Sequence, residues 1–152
     1  MRMKGKKPIF NRRDTYNLDA TLDPIITEGL KKFREVMLEP DNVMASYPTN
    51  MDGYEYGNNI PEQEKTYMKQ WIEIVDKMIF AFEFPDDPDI PTNIEIKLTE
   101  IGKPHEDGSQ EMSVKVNDED AYNEYKRNCD THQKKVEEGH ALFIKHYKNL
   151  WW

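Results

Sequence analysis

The sequence has very little cysteine and no long hydrophobic run, and these two features exclude several classes of protein. Cys129 is the only cysteine among 152 residues, so a single chain can form neither an internal disulfide nor a cysteine-based metal site. This composition suits a reducing cytoplasm. No apolar segment approaches the roughly 20 residues of a membrane span, and none follows the basic N-terminus as in a signal peptide. We therefore expect a cytoplasmic protein that is neither secreted nor membrane-bound.

The short motifs of several common enzyme classes are also missing. The sequence contains no glycine-rich phosphate loop, no Gly-x-Ser-x-Gly turn, no dinucleotide fingerprint and no zinc-ligand spacing. The sequence leaves open whether the protein is an enzyme, and it favours a protein without enzymatic activity.

Acidic residues outnumber basic ones, and the formal net charge is −8. Such a surface repels phosphates and anionic lipids, so general nucleic-acid binding is disfavoured. Basic residues crowd one end of the chain, however, in residues 1–13: Arg2, Lys4, Lys6, Lys7, Arg12 and Arg13. We predict a basic, flexible arm there, which is either simply solvated or grips an anionic partner.

The densest apolar stretch, at residues 61–84, predicts a buried helix. Pro61 suits its first turn, and Pro85 ends it. Its large apolar residues recur every three or four positions and therefore share one helix face: Met68, Trp71, Val75, Met78 and Phe82.

Two further helices are predicted from the same periodicity. The first covers about residues 19–38, although Pro24 could separate a turn at residues 18–22 from the helix proper. The last begins after Asn117 or Asp118, and we expect its two halves to face different neighbours. One face of this helix, its seam, is formed by residues spaced three or four apart: Tyr122, Tyr125, Cys129, His132, Val136, Gly139, Phe143, His146 and Leu150. The cysteine, histidines and glycine in this seam are poorly suited to a dry coiled coil.

The segment between the second and third helices has a period of two instead. Residues 94–101 and 111–116 alternate apolar and polar side chains on either side of a turn-rich stretch, which predicts a β-hairpin. A lone hairpin is marginal in water and must pack on helices or on another chain. The fold class is therefore predicted to be mainly α: a three-helix bundle with a hairpin at about 94–116 between the second and third helices, in a single domain over 14–152.

Carboxylates and histidines are the candidates for chemistry. Glu73 and Asp76 lie three residues apart on one helix, where such pairs can hold Mg²⁺ or Mn²⁺ in a nucleotide hydrolase, or can be ordinary surface groups. His132 and His146 lie on the seam of the last helix. Each is either a core histidine bonded to a carboxylate such as Asp76 or Glu83, or a catalytic base.

Three segments together resemble a group of small, largely uncharacterised proteins of tailed bacteriophages and prophages. The segments are Asp14-Thr15-Tyr16-Asn17-Leu18-Asp19, the run from Trp71 to Glu83, and Glu138-Gly139-x-x-Leu142-Phe143-x-x-x-Tyr147-x-x-Leu150-Trp151. The group typically has Trp where this chain has Tyr16. The resembling segments also bring polar residues, and if these converge they form a binding centre within an aromatic bundle: Asp14, Tyr16, Asp19, Asp76, Lys77, Glu83 and Glu138.

The resemblance implies a phage protein that acts in the cytoplasm of the infected bacterial host. It supplies no settled activity. We expect an accessory protein that binds a host bacterial protein or a small anionic ligand, and so blocks a host defence or sequesters a nucleotide signal. The alternatives are a metal-dependent, all-α nucleotide hydrolase and a structural or assembly protein of the virion that forms homo-oligomers.

Overall fold

The computed structural model describes residues 2–12, 14–39, 47–49, 51, 61–83, 85–103, 105 and 107–150. The helices and strands in these ranges are β1 (Arg2–Lys4), β2 (Lys7–Ile9), α1 (Leu18–Met37), α2 (Pro61–Phe82), β3 (Ile96–Ile101), β4 (Glu111–Val116) and α3 (Glu119–His146). A mainly α class with a hairpin between the second and third helices is thereby confirmed. None of the helices in the described ranges combines the length and apolar composition needed to cross a membrane.

Some predictions concern residues outside these ranges. They include Arg13 of the basic arm and Trp151 of the last resembling segment.

Helix α1 runs without interruption through Pro24, so the alternative of a separate turn before the proline is wrong. The proline removes one hydrogen bond near the start of the helix, and buried residues further along, among them Leu30 and Phe33, hold the rest of the helix in place. Thr27 adds a buried polar contact, because its hydroxyl donates to the carbonyl oxygen of Phe82 at 2.7 Å. This bond ties α1 to the last turn of α2, where helix carbonyls need partners.

Trp71 on α2 is the centre of the main hydrophobic core. Its side chain is fully buried, as are those of Val75 and Met78 one and two turns further on. The ring of Phe33 on α1 meets Trp71 edge-on, with ring centroids 6.3 Å apart. The prediction that this apolar face forms the core is confirmed.

The C-terminal part of α3 packs antiparallel to α2. Trp71, in the middle of α2, meets His146 at the end of α3, whereas Phe82, at the end of α2, meets Phe143 one turn earlier on α3. One turn before Phe143 on α3 lies Gly139, which is buried. A Cβ atom at this position would lie closer than 3.0 Å to the Lys77 carbonyl oxygen and 2.5 Å from the Cβ of Ala81. The two helices approach this closely because residue 139 has no side chain.

The contacts divide the chain into two compact units, whereas the sequence predicted one domain over 14–152. The core unit comprises residues 1–85 and 135–152, and the acidic unit comprises residues 86–134. Helix α3 belongs to both, which agrees with the expectation that its halves have different neighbours. The acidic unit is distinct because strands β3 and β4 pair with each other, so their contacts join residues within the same segment of the chain.

In the acidic unit, the predicted hairpin and helix cap are both found. Strands β3 and β4 pair antiparallel, with Leu98 opposite Val114 and Thr99 opposite Ser113. Of the two candidate caps for α3, the structure selects Asp118, whose carboxylate accepts the backbone N–H of Ala121 at 2.9 Å.

The N-terminal arm contains regular structure that the sequence did not predict. Strands β1 and β2 form a short antiparallel ladder, and Gly5 lies in the connecting turn with φ of 61°. A positive φ is readily adopted by glycine, which allows this tight turn. Each strand has only three residues, too few for a period of two to stand out in the sequence.

Candidate functional site

The polar residues predicted on α2 form ion pairs with neighbouring helices. Asp76 accepts two hydrogen bonds from the guanidinium group of Arg34 on α1, one of them at 3.1 Å. Lys77 donates to Glu138 on α3 at 2.6 Å. Each of these pairs therefore joins α2 to another helix of the core unit.

Glu83, just beyond α2, completes this set of ion pairs. Its carboxylate lies 2.7 Å from the ammonium group of Lys31 on α1. The hydrogen bond with Glu83 raises the pKa of Lys31, and that with Asp76 raises the pKa of Arg34. Lys31 and Arg34 were not predicted as partners from the sequence, although their spacing of three residues on one helix face was a usable signal.

The paired groups lie at the surface of the core unit. The exposed fractions of these six side chains range from 37 to 52 %. Of the predicted set, Lys77 and Glu138 bind each other, whereas Asp76 and Glu83 pair with Arg34 and Lys31 at the surface and not inside the aromatic bundle. Solvent screens such pairs, so they orient the helices more than they stabilise them.

The remaining residues of the predicted set lie in and around the turn before α1. Asp14 accepts the backbone N–H of Asn11 at 2.8 Å, and Asn11 accepts that of Asp14 at 2.9 Å. Tyr16 is 86 % exposed, and Asp19 lies in the first turn of α1. The structure thus gives Asp14 a role in closing the turn.

Replacing Asp76 with asparagine tests this surface placement. We expect the free energy of unfolding to fall by less than about 1 kcal/mol, because exposed ion pairs contribute little. Removing one partner of a buried pair would lower it by about 3 to 5 kcal/mol. Urea denaturation of both proteins measures the difference, and a loss in the larger range would contradict a surface role for the pair.

A polar cleft lies beside the Lys77–Glu138 pair, between α2 and the end of α3. Its volume is about 310 Å³. The described residues that line it come from α2, from α3 and from one loop position: Met51, Gln70, Glu73, Ile74, Lys77, Glu138, Leu142, Lys145 and His146. The cleft therefore contains three of the residues singled out from the sequence as polar or metal-binding candidates, Glu73, Lys77 and Glu138.

Two of the histidines on α3 lie against aromatic rings. His146 is only 1 % exposed, and its ring centroid lies 5.3 Å from that of Trp71. His140 meets Phe82 in the same way, at 4.7 Å. The carboxylates expected to bind a core histidine, Asp76 and Glu83, instead pair with Arg34 and Lys31.

The carboxylate near His140 is Asp23 of α1. Burial raises the pKa of Asp23, and the positive charge that His140 can carry opposes this shift. The proximity of Asp23 to His140 was not predicted from the sequence.

The predicted metal ligands Glu73 and Asp76 lie on neighbouring turns of α2, but Asp76 is bound by Arg34. Within the described ranges, no three His, Cys, Asp or Glu side chains are grouped closely enough to hold a metal ion. The Mg²⁺ or Mn²⁺ alternative stays a prediction.

The acidic unit carries most of the net charge of the chain. Residues 86–134 contain thirteen Asp and Glu against six Lys and Arg, a formal charge of −7 out of −8. The rest of the chain is nearly neutral. The acidity noted in the sequence is therefore a property of one unit.

The hairpin in this unit exposes an apolar face. Leu98 and Val114, directly opposite each other, are 62 and 52 % exposed. Ile96 and Met112 lie on the same face and are 39 and 45 % exposed. The opposite face is polar at the neighbouring pair, Thr99 and Ser113. Exposed apolar side chains that are contiguous mark surfaces that bind other molecules.

A recess borders this apolar face within the acidic unit. It has a volume of about 240 Å³ and lies between β4 and the first turns of α3, where Val114, Val116 and Tyr122 line it. The ammonium group of Lys126 lies 4.9 Å from the centroid of the Tyr122 ring. The recess is also lined by polar side chains, those of Glu119, Asn123 and Lys126, so the surface beside the apolar face is neither flat nor wholly apolar.

Comparison with protein-family models, curated proteins and solved structures found no match. The resemblance to phage proteins therefore stays a prediction. In the described part of the chain, the polar cleft of the core unit and the apolar face of the hairpin are surfaces that can bind other molecules.

Proposed function

We propose that this protein is a phage accessory protein that acts by binding, in the cytoplasm of the infected bacterial host. Its partner is a host protein with a basic, nucleic-acid-facing surface, and the binding blocks that surface. The observation that carries the proposal is the exposed apolar face of the hairpin in a unit with a formal charge of −7.

The exposed apolar residues of the hairpin give a physical reason for binding a partner. A two-stranded hairpin is marginal in water, and here Leu98, Val114 and Met112 remain about half exposed or more. Burying such side chains against a partner would release roughly 25 cal/mol for each Å² of apolar surface removed from water. The recess beside Tyr122 offers a place for a side chain of the partner.

The charge of the acidic unit narrows the class of partner. A negative surface attracts basic surfaces and repels acidic ones, and it speeds the encounter with an oppositely charged protein. Basic surfaces of bacterial proteins commonly face nucleic acid, and an acidic protein that covers one would compete with DNA or RNA for it. A second copy of this chain would bring together two acidic units and is disfavoured for the same reason.

The experiment is affinity capture of host proteins by the wild-type chain, followed by titration of the captured protein in purified form. We expect a basic nucleic-acid-binding protein that is displaced by duplex DNA and whose affinity falls as salt rises. The double variant Leu98→Ser with Val114→Ser should bind at least tenfold more weakly, because it removes the centre of the apolar face.

The matched control is Thr99→Ala with Ser113→Ala, which changes the adjacent pair on the other face of the same strands. It should bind like the wild type. If both double variants bind equally well, the apolar face is not the contact. A dimer in light scattering that is lost in the Leu98 and Val114 variant would identify a second copy as the partner, and would favour the assembly alternative over the proposal.

A further inference from the structure

We infer that the polar cleft of the core unit binds a guanine nucleotide. The cleft lies between α2 and the end of α3, with Glu73 and Lys145 among its lining residues. This inference does not depend on the proposed function, which rests on the acidic unit alone.

The size of the cleft suits a mononucleotide. Its volume of about 310 Å³ is at the lower end of the range of small-molecule sites. On α2 the lining extends from Gln70 to Lys77, which are seven positions apart, or about 10 Å at 1.5 Å per residue. A base, a sugar and one phosphate extend over a similar length.

Among the described residues of the cleft, some charged side chains are paired with each other, and others are not. Lys77 and Glu138 neutralise each other in an ion pair. Within the described ranges, Glu73, Lys145 and Gln70 make no ion pair or hydrogen bond through their side chains. The cleft thus presents a carboxylate from α2 and an ammonium group from α3, with an amide nearby. A ligand that carries both hydrogen-bond donors and an anionic group would satisfy all three.

A guanine nucleotide has this combination of groups. The base presents two adjacent N–H donors, the ring N1–H and the exocyclic amino group, which one carboxylate can accept together in charge-assisted hydrogen bonds. Glu73 is the carboxylate for this role, and Gln70 can donate to the neighbouring base carbonyl. Lys145 would bind the phosphate as a point charge. Adenine offers a single donor beside a ring acceptor on the same edge, and that acceptor would repel Glu73.

Isothermal titration of the full chain with GMP, AMP, guanosine and inorganic phosphate tests the inference. We expect GMP to bind at least tenfold more tightly than the other three. Glu73→Gln should weaken GMP binding at least tenfold and remove the preference over AMP. Lys145→Gln should weaken GMP binding by a similar factor while leaving guanosine binding unchanged, because guanosine has no phosphate.

The controls are Glu64→Gln and Lys148→Gln, which change exposed charges at the start of α2 and just beyond α3, outside the cleft lining. Both should bind GMP like the wild type, and melting curves should show that all four variants are folded. The inference is overturned if GMP shows no saturable binding up to about 1 mM, which corresponds to about −4 kcal/mol. It is equally overturned if AMP or phosphate binds as tightly as GMP, or if Glu73→Gln has no effect.

Discussion

Replacing Gly139 with alanine is expected to lower the free energy of unfolding by roughly 2 to 3 kcal/mol. The added Cβ would lie closer than 3.0 Å to the Lys77 carbonyl oxygen and 2.5 Å from the Cβ of Ala81. Backbone atoms of a buried helix cannot move aside as a flexible side chain can, so α2 and α3 would have to separate. Denaturation by urea, followed by circular dichroism, measures the loss.

Gly29 provides the matched control for this substitution. It is also helical, but a Cβ at this position would meet nothing within 4 Å. Gly29→Ala should therefore raise stability by up to about 1 kcal/mol, the usual gain from replacing a helical glycine. If Gly139→Ala were as stable as the wild type, the close approach of α2 and α3 at this point would be wrong.

Truncation of Trp71 to alanine is expected to lower the free energy of unfolding by about 3 to 5 kcal/mol. The indole is fully buried and meets Phe33 of α1 and His146 of α3, so its removal leaves a cavity where all three helices of the core unit meet. A loss of this size is a large fraction of the stability of a typical domain, so the variant should be partly unfolded at 37 °C. Thermal melting in the far ultraviolet measures this directly.

Ile144→Ala is the control for a lost apolar side chain. Ile144 lies on α3 and is 77 % exposed, so its truncation should change stability by less than about 0.5 kcal/mol. Equal losses for the two variants would show that Trp71 is not at the centre of the core.

Local sequence patterns were sufficient for the positions of the main elements. The spacing of Trp71, Val75 and Met78 predicted α2 and its buried face, and the alternation at residues 94–101 and 111–116 predicted the hairpin. These predictions succeeded because the helix and strand periods repeat every two to four residues and can be read from the sequence of a single segment. The ladder at β1 and β2 was missed because three-residue strands are shorter than any reliable period.

The candidate site was predicted only in part. Glu73, Lys77 and Glu138 were named from the sequence and do line one cleft. Lys145 was not named, because an isolated lysine on a helix is indistinguishable from any other surface charge until a second helix is placed beside it. Asp76 was expected in a polar centre, and the structure pairs it at the surface with Arg34, 42 residues away along the chain.

The sequence by itself determined the class of the fold, the bounds of α1 and α2 to within about two residues, and the absence of an internal disulfide. The tertiary structure decided which charged residues meet, where the net charge is concentrated, and that the apolar face of the hairpin stays exposed. The reason is that helix and strand formation depends on neighbours in the chain, whereas ion pairs, clefts and exposed faces depend on residues that only folding brings together. Gly139 illustrates both. The sequence placed it on the seam of α3, but only the structure shows that a side chain at this position would clash with Ala81.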